Sequence, residues 1–156
     1  FICTGNSCRS VMAKALLEKR LKEQGRQDVE VLSAGIMILE GLPATEEVRW
    51  LLQKEGIDVS VHRSKRATKE MLRKSDIILV MERLHEKRIL ELAPEIKNKI
   101  FLLKEFAHSP RSEVSNVTNI SDNELDIADP IGRPVEFYAE IFAVIKETVE
   151  RISNIL

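Results

Sequence analysis

The apolar residues of the chain fall into two kinds of pattern, short continuous runs and longer stretches that repeat every three to four residues. A short run with polar neighbours predicts a strand covered on both faces, and the longer repeat predicts an amphipathic helix. The first predicted strand ends at Ile2, and the second covers Val29–Leu32 and runs into Ser33-Ala34-Gly35. The third and fourth cover Ile77–Met81 and Ile100–Leu103. The predicted helices cover Ser10 to about Gly25, Thr45 to about Gly56, Thr68–Leu72, Leu84–Leu92 and Val135–Ile152.

The order of these elements predicts the fold. Strands that alternate with helices indicate a doubly wound α/β domain, with a four-stranded parallel sheet and helices on both faces. At 156 residues the chain has the length of one domain, which we expect to span residues 1–156. In such a sheet ligands bind beyond the carboxyl ends of the strands, where Cys3, Ser33 and Glu82 fall.

Three irregular connections separate these elements. Ile36–Pro43 follows the second strand, and Ile57–Ser64 carries His62. The stretch Glu105–Ala128 is polar, rich in Ser and Asn, and longer than most connections. That length predicts a surface loop or a functional loop.

The first ten residues predict a strand, a loop and the start of a helix. Gly5 and Asn6 permit a tight loop, and Ser10 is the predicted helix N-cap. A loop that ends at a helix N-terminus directs backbone N–H groups and the positive end of the helix dipole inward, which suits a phosphate-sized dianion. The same field favours a thiolate at Cys3, while Arg9 offers a planar fork of donors for two phosphoryl oxygens. A Cys and an Arg at this spacing are common by chance, so the assignment depends on the rest of the chain.

The string Cys3–Ser10 resembles the active-site loop of the low-molecular-weight protein tyrosine phosphatases. Three further stretches match that family. Ser33-Ala34-Gly35 resembles its second-strand motif, Leu79–Glu82 the end of its third strand, and Asp129-Pro130 its acid loop. The resemblance therefore extends over nearly the whole chain. Val11 departs from the family, which usually has Pro there, but Pro only pre-sets the first helical turn, so we expect Val to spare the chemistry.

The resemblance implies a role for each of these residues. Cys3 is the implied nucleophile, Arg9 the implied phosphoryl ligand and Asp129 the implied general acid. One carboxylate can protonate the leaving oxygen and then activate water against the thiophosphate. The residues expected to contact the substrate are Thr4, Gly5, Asn6, Ser7, Cys8 and Ile131. A supporting hydrogen-bond network that holds the loop is expected at Asn6, Ser10, Ser33 and His62, with His62 structural rather than catalytic.

Composition and charge exclude several classes of partner. Hydrophobic residues make up 44% of the chain and charged residues 31%, and the net charge is -1, which is typical of a globular protein with no nucleic-acid partner. The basic stretch Arg63–Arg66 with Lys69 is short and is interpreted as a solvated face, with a substrate-facing rim as the alternative. No apolar run approaches the length of a membrane span, so no membrane partner is expected.

The positions of the cysteines indicate the redox environment, and those of the histidines indicate whether a metal site is present. Cys3 and Cys8 both lie in the loop instead of forming a widely spaced disulfide framework, which predicts a reducing cytoplasm. The three His residues are dispersed, so no metal site and no cofactor are expected. His85 and His108 have no motif around them and are expected on the surface. Only two strand residues, starting at Phe1, precede Cys3, so we expect further residues upstream.

Three classes of function fit such a loop. The first is a phosphatase that uses a phosphocysteine intermediate. The second is a thioredoxin-coupled arsenate reductase, which has a similar loop but uses two additional cysteines near the middle of the chain, where this chain has none. The third is a phosphate-binding or phosphoprotein-binding module without catalysis, and the joint presence of Cys3, Arg9 and Asp129 argues against it.

Within the phosphatase class, Ser7 and Ile131 bear on the substrate. Tyrosine-specific members of the family tend to carry a bulky aliphatic residue at the first position and an aromatic residue at the second, whereas arginine-phosphatase members carry Thr at the first. Ser7 resembles that Thr, so phosphotyrosine and phosphoarginine on a protein substrate both stay open, with phosphotyrosine favoured by the breadth of the resemblance. The sequence leaves the substrate protein and the oligomeric state open.

Overall fold

A computed structural model of the protein describes residues 1–108 and 122–156, and it contains one sheet of four parallel strands. The strand order is β2-β1-β3-β4, with β1 at Ile2–Cys3, β2 at Ala34–Gly35, β3 at Ile78–Val80 and β4 at Ile100–Leu102. The helices are α1 at Arg9–Glu23, α2 at Glu46–Lys54, α3 at Lys69–Lys74, α4 at Arg83–Leu92, α5 at Leu103–His108, α6 at Asp122–Leu125 and α7 at Val135–Ser153. A 3-10 turn at Pro94–Lys99 precedes β4.

The side chains of β3 alternate between the two faces of the sheet. Ile78 and Val80 pack in a core that includes residues of α3 and α4. Leu79 and the following Met81 pack in a second core, which includes residues of α1, α2, α5 and α7. A strand covered on both faces needs apolar side chains at every position, which explains the unbroken run in the sequence. The predicted fold, a four-stranded parallel sheet with helices on both faces, is confirmed.

The second strand was predicted to begin at Val29 and run into Ser33-Ala34-Gly35, and that start is wrong, because β2 contains only Ala34 and Gly35. The register pairs Ile2 with Ala34, and the amino group of Phe1 donates to the Leu32 carbonyl oxygen at 2.8 Å, so the chain approaches β2 alongside the start of β1. Val29 and Val31 pack against the core, where Val31 is buried.

The predicted loop over Glu105–Ala128 is also partly wrong, because α5 and α6 both reach into it. The helix α5 follows β4 directly and buries Leu103, Phe106 and Ala107. These positions are spaced by three and four residues, which is the spacing of one helical face. Residues 109–121 of the predicted loop lie outside the described residues.

The helix α7 is the main cover for α1. It is 19 residues long and buries Ile141, Ile145 and Val149 at a helical spacing. The exposed positions of its second half include Lys146, Glu147, Glu150 and Arg151. A charged outer face is what a helix on the outside of a globular fold requires. None of the helices in the two described ranges is long and apolar enough to cross a membrane.

The carboxyl ends of β1, β2 and β3 meet at one edge of the sheet. The register pairs Cys3 with Gly35 and Ile2 with Val80, so the strands end at nearly the same level. The loops that follow the three strands therefore open on the same side. This edge is where a parallel sheet binds its ligands, and the candidate site lies there.

Candidate active site

The loop after β1 passes directly into α1, which begins at Arg9 with Cys8 as its N-cap residue. The backbone amide of Met12 donates to the Cys8 carbonyl oxygen at 3.0 Å. The prediction of Ser10 as the N-cap is therefore wrong. Ser10 lies inside the first turn, where its hydroxyl is turned toward Cys3 and does not cap the helix.

Cys3 lies at the N-terminal end of α1 and is buried. Its Sγ atom is 3.0 Å from the Ser10 Oγ, and the backbone N–H of Asn6 donates to it at 3.3 Å. Both contacts can supply a hydrogen to a negatively charged sulfur, and the helix dipole adds a positive potential at the same point. The surroundings of Cys3 are thus those that stabilise a thiolate nucleophile.

Asn6 is the centre of the hydrogen-bond network that holds the loop. Its backbone φ is 50°, a left-handed conformation that Asn tolerates better than most residues. Its Nδ2 donates to the Oγ atoms of Ser10 and Ser33, both at 3.0 Å, and its Oδ1 accepts from the Lys65 amide at 2.9 Å. The Asn6 carbonyl accepts from His62 Nε2 at 2.8 Å. Burial lowers the pKa of His62, which favours the neutral ring with its hydrogen on Nε2.

Gly35 is a glycine because β2 passes close to the loop. A Cβ atom at this position would lie 2.7 Å from the Thr4 carbonyl oxygen and 3.1 Å from the Asn6 nitrogen. The first of these distances is shorter than any normal carbon–oxygen contact, and both partners are backbone atoms that cannot turn away. The family motif Ser33-Ala34-Gly35 therefore has a steric basis in this chain.

Arg9 is almost completely buried and joins three parts of the chain. Its Nη1 donates to Glu82 Oε1 at 2.6 Å and to the Ile127 carbonyl at 2.7 Å. Its Nη2 donates to Asp129 Oδ2 at 2.7 Å and to Thr4 Oγ1 at 3.3 Å. Since a buried guanidinium needs compensating charge, the two carboxylates account for its stability in this position.

The Nε of Arg9 differs from the other nitrogens of its guanidinium. It is buried, and no acceptor among the described residues lies within hydrogen-bond distance of it. A buried donor without a partner is costly in a folded protein. An anion bound in the loop beside Arg9 would satisfy it, and the residues present therefore fit a phosphoryl group.

Asp129 reaches the site because residues 127–132, the Asp129 segment, are hydrogen-bonded to the end of β3. The amide of Ile127 donates to the Met81 carbonyl at 2.8 Å, which brings the segment to the strand end. Asp129 Oδ1 then accepts from the Ile131 amide at 3.2 Å, and Gly132 turns the chain with a φ of 77°. The Asp129 side chain is 36% exposed, so its carboxylate can meet both Arg9 and a ligand from solvent.

Two side chains at this site were not assigned to it from the sequence. Glu82 belongs to the matched third-strand stretch, yet its ion pair with Arg9 was not foreseen. His85 was expected on the surface and is completely buried, so that prediction is wrong. Its Nε2 lies 2.9 Å from Thr4 Oγ1, and burial together with the charge of Arg9 lowers its pKa to about 4. The only available signal was its spacing of three residues from Glu82 at the start of α4, which places both on one face.

Cys8 lies in surroundings unlike those of Cys3. Its Sγ is 3.5 Å from Thr45 Oγ1 and 3.9 Å from Ser7 Oγ. Burial is the main reason why the pKa of the Cys8 thiol is raised, so this sulfur stays protonated near neutral pH. Of the two cysteines, Cys3 is therefore the better nucleophile.

The remaining predicted contact residues, Gly5, Ser7 and Ile131, belong to the loop and to the Asp129 segment at its opening. Ser7 is partly buried, and its backbone carbonyl accepts from the Thr45 amide at 3.1 Å. Gly5 has room for a Cβ, which would meet the Ser7 Oγ at an ordinary 3.4 Å, so Asn6 and not Gly5 carries the unusual backbone angle. Ile131 is 52% exposed on the side of the opening formed by the Asp129 segment.

The His, Cys, Asp and Glu side chains of residues 1–108 and 122–156 are dispersed with respect to metal binding. Within these ranges no group of three or more His, Cys, Asp or Glu residues is arranged to hold a metal ion. His108 is exposed, and its Nδ1 lies 2.7 Å from the carbonyl of Lys104 in the same helix.

Comparison with known proteins gives a consistent set of relatives. A family model described as low molecular weight phosphotyrosine protein phosphatase matches residues 1–156. A protein-arginine-phosphatase of Geobacillus stearothermophilus is 36% identical over 154 residues, which are 99% of this chain and 92% of that protein. Wzb of Escherichia coli (strain K12), named a low molecular weight protein-tyrosine-phosphatase, is 28% identical over 155 residues, or 99% of this chain and 92% of that protein.

Solved structures agree with these matches. The low molecular weight protein tyrosine phosphatase of T. tengcongensis superimposes with a TM-score of 0.85 at 34% identity, covering 100% of this chain and 97% of that one. The YwlE arginine phosphatase of Geobacillus stearothermophilus gives a TM-score of 0.81 at 36% identity, covering 99% and 88%. Relatives of both substrate types therefore share this fold.

Proposed function

The chain belongs to the low molecular weight phosphotyrosine protein phosphatase family, and from this premise we propose that it hydrolyses phosphorylated proteins through a phosphocysteine on Cys3. The observation that carries the proposal is the grouping of Cys3, Arg9 and Asp129 around one loop at the N-terminus of α1. That grouping supplies a nucleophile, an anion ligand and a proton carrier within one site. Catalysis by a cysteine is general to the family.

In the first step the Cys3 thiolate attacks phosphorus, forming an S–P bond while the bond from phosphorus to the leaving atom breaks. Protonated Asp129 gives its hydrogen to that leaving atom, which is an oxygen in phosphotyrosine and a nitrogen in phosphoarginine. In the second step Asp129, now ionised, takes a hydrogen from water as the water attacks phosphorus. The S–P bond breaks, and the Cys3 thiolate and inorganic phosphate are released.

The contact between Arg9 and Asp129 must change when substrate binds. In the free protein Nη2 of Arg9 donates to the Asp129 carboxylate at 2.7 Å. A phosphoryl dianion carries more charge than a carboxylate and can engage both the unpartnered Nε and Nη2 of Arg9. We propose that it displaces Asp129, whose carboxyl then turns to the leaving group. A dianion next to that carboxyl favours the protonated form that an acid requires.

Phosphate release from p-nitrophenyl phosphate tests this function against the arsenate reductase and the binding module. We expect turnover in the unmodified protein and none in Cys3→Ser, which should still bind vanadate because the loop amides and Arg9 remain. Thioredoxin-coupled arsenate reduction without phosphate release would favour the reductase. Vanadate binding with neither activity would favour the binding module, and substantial turnover by Cys3→Ser would exclude the covalent mechanism.

A second candidate function, dephosphorylation of protein arginine, is favoured by Ser7. The Ser7 side chain offers little apolar area to a phenyl ring, but its hydroxyl can accept a hydrogen bond from a guanidinium N–H. The exposed Ile131 supplies one apolar contact surface for a ring. The loss of one aliphatic side chain beside the ring weakens phosphotyrosine binding by about 1–3 kcal/mol. That loss is too small to exclude phosphotyrosine as a substrate. We therefore propose activity on both phosphotyrosine and phosphoarginine, with phosphotyrosine slightly favoured.

The ratio of kcat/KM on matched phosphotyrosine and phosphoarginine peptides tests the role of Ser7. We expect Ser7→Ile to raise the preference for phosphotyrosine at least about tenfold, which corresponds to ~1.4 kcal/mol. The exposed Ser60, whose hydroxyl bonds to Asp58 away from the loop, provides the matched control Ser60→Ile. An unchanged ratio in Ser7→Ile would mean that this side chain does not face the substrate.

We also propose that the whole of residues 1–156 acts as one domain and that it works in a reducing cytoplasm. Support for the location is chemical, since a catalytic thiolate at Cys3 must stay reduced and Cys8 lies nearby in the same loop. Fractionation of the source cells, followed by alkylation of free thiols, tests it. Recovery of Cys3 and Cys8 as free thiols in the cytoplasmic fraction is expected, and recovery outside that fraction would contradict the location.

A further inference from the structure

We propose that His85 is a positioning residue of the phosphoryl site: its Nε2–H donates to the Thr4 hydroxyl oxygen, fixes that hydroxyl beside Arg9, and leaves the Thr4 hydrogen available to a bound phosphoryl oxygen. This inference rests on the proposed phosphatase function, because it names a further residue of the same site. Through this hydrogen bond a side chain of α4 orients a side chain of the loop.

The geometry places His85 behind Thr4 and away from solvent. The His85 side chain is 0% exposed, and its Nε2 is 2.9 Å from Thr4 Oγ1. The same Oγ1 accepts from Arg9 Nη2 at 3.3 Å. Glu82 Oε2 lies 3.6 Å from His85 Nε2, which is too long for a good hydrogen bond. Thr4 is therefore the hydrogen-bond partner of this ring nitrogen.

The position of the ring hydrogen follows from the other nitrogen. His85 Nδ1 is buried and has no hydrogen-bond partner among the described residues. If Nδ1 carried the hydrogen, a buried N–H donor would be left unpaired, whereas a bare Nδ1 leaves only an unused acceptor. Unpaired buried donors are the rarer case in proteins. The tautomer with its hydrogen on Nε2 is thus favoured, and burial keeps the ring neutral, with its pKa lowered to about 4.

The Thr4 hydroxyl then has a defined direction. A hydroxyl oxygen has two acceptor positions and one hydrogen to donate. Arg9 Nη2 and His85 Nε2 both donate to Thr4 Oγ1, so both acceptor positions are used. The Thr4 hydrogen remains, and the loop that holds Thr4 is the loop that surrounds Cys3. A phosphoryl oxygen bound there is the acceptor that this hydrogen can reach.

A purely structural role for His85, as a buried residue that fills space on α4, makes a different prediction. Space filling affects folding stability and leaves anion binding unchanged. His85→Phe keeps an aromatic ring and removes both nitrogens, while His85→Gln can return an N–H near the Nε2 position. Ile89→Val perturbs the buried face of the same helix, and Ile89 belongs to neither the loop nor the charged groups around Arg9.

Vanadate affinity, measured by calorimetry, and kcat/KM on p-nitrophenyl phosphate separate the two roles. We expect His85→Phe to weaken vanadate binding and to lower kcat/KM by about tenfold, the effect of one lost hydrogen bond. His85→Gln should stay within about threefold of the unmodified protein on the same scale. Ile89→Val should match the unmodified protein in both measurements while lowering its unfolding temperature.

A double-mutant cycle with Thr4→Val tests whether His85 acts through Thr4. If it does, His85→Phe adds no further loss in the Thr4→Val protein, whereas independent effects multiply. Multiplying losses, or unchanged vanadate affinity in His85→Phe, would overturn the proposal. Vanadate binding can be measured without turnover. If vanadate binding depends on His85 but the protein releases no phosphate, the proposed phosphatase function is contradicted and the role of His85 in anion binding is not.

The ring tautomer supplies a test that needs no variant. In the unmodified protein, the ¹⁵N chemical shifts of the His85 ring distinguish a hydrogen on Nε2 from one on Nδ1. We expect the Nε2–H form between pH 6 and 8, and we expect its signal to shift when vanadate binds. A hydrogen on Nδ1 would make Thr4 the donor to His85 and would remove the basis of the proposal.

Discussion

The two sides of the loop after β1 are held by different kinds of contact. On one side the neutral network consists of hydrogen bonds among Asn6, Ser10, Ser33 and His62. On the other side the charged cluster consists of Arg9, Glu82 and Asp129. Both sides meet the same short loop, yet the neutral network is almost fully buried around Asn6, while the charged cluster reaches solvent through Asp129.

The difference suggests a division between shape and chemistry. Directed hydrogen bonds between neutral buried groups have one good arrangement, so the neutral network fixes the backbone of the loop. Charged groups can exchange one ionic partner for another, as Asp129 must when a phosphoryl group binds Arg9. Changes in the charged cluster should therefore lower the rate most, and changes in the neutral network should lower the stability most.

The largest expected effect is on the rate of Arg9→Lys. A lysine keeps the charge but cannot present both Nε and Nη2 to two phosphoryl oxygens. Since losing one such donor costs a hundredfold to a thousandfold, losing both should lower kcat/KM more than about ten-thousandfold. The exposed Arg88, which pairs with Glu91 on α4, gives the control Arg88→Lys. A loss below about tenfold in Arg9→Lys would break the assignment of chemistry to the charged cluster.

Asp129→Asn should have the next largest effect. An amide cannot give a hydrogen to the leaving group as an acid does, so kcat/KM on phenyl phosphate should fall roughly a hundredfold to ten-thousandfold. The fall should be smaller with p-nitrophenyl phosphate, whose leaving group is already a weak base. Asp28→Asn, at an exposed ion pair with Arg26, is the control. Equal losses on both substrates would indicate that Asp129 serves structure or the water step.

Asn6→Ala tests the neutral network. It removes three side-chain hydrogen bonds, to Ser10, Ser33 and the Lys65 amide, and places Ala at a φ of 50°. At about 1 kcal/mol for each bond, the free energy of unfolding should fall by about 3 kcal/mol. Chemical denaturation measures this, with the exposed Asn98→Ala as the control. An Asn6→Ala protein as stable as the control would remove the distinction between the two sides.

The smallest effect is the pH dependence of stability from His85, which lies behind the charged cluster. Its folded pKa of about 4 is below the unfolded value of 6.5, so the unfolded chain binds the proton more readily between these values. The free energy of unfolding therefore decreases as the pH falls from 6.5 toward 4. Below pH 4 the ring of His85 is protonated in both states and adds no further pH dependence. Between pH 6.5 and 5.5 the loss should be roughly 1 kcal/mol. His85→Gln should lack this part of the slope, and identical slopes in both proteins would contradict the buried neutral ring.

Much of the fold and of the loop could be predicted because their signals are local. Continuous apolar runs at Ile77–Met81 and Ile100–Leu103 predicted β3 and β4, since a strand covered on both faces has no polar positions. Cys3 and Arg9 lie at the two ends of one short loop between a strand and a helix. Their proximity could therefore be predicted from residues that are close in the sequence. The family resemblance then indicated Asp129, which no local pattern connects to Cys3.

The rest depended on contacts between distant parts of the chain. Glu82 and Arg9 are 73 residues apart, and Thr4 and His85 are 81 residues apart. An isolated His on a charged helix looks exposed until the fold buries it against the loop. The bounds of the second strand were also misplaced, because β2 contains only Ala34 and Gly35 and strand pairing needs a partner strand as well as apolar composition.

The phosphocysteine on Cys3 is the central claim, and rapid mixing of Asp129→Asn with p-nitrophenyl phosphate tests it most directly. The leaving group departs without an acid, whereas hydrolysis of the S–P bond lacks its base, so the intermediate should accumulate. We predict a burst of about one p-nitrophenol per protein, and after acid quench a phosphoryl group on Cys3 and not on Cys8, detected by mass spectrometry. Steady release of phosphate with no burst and no phosphoryl group on Cys3 would contradict the account.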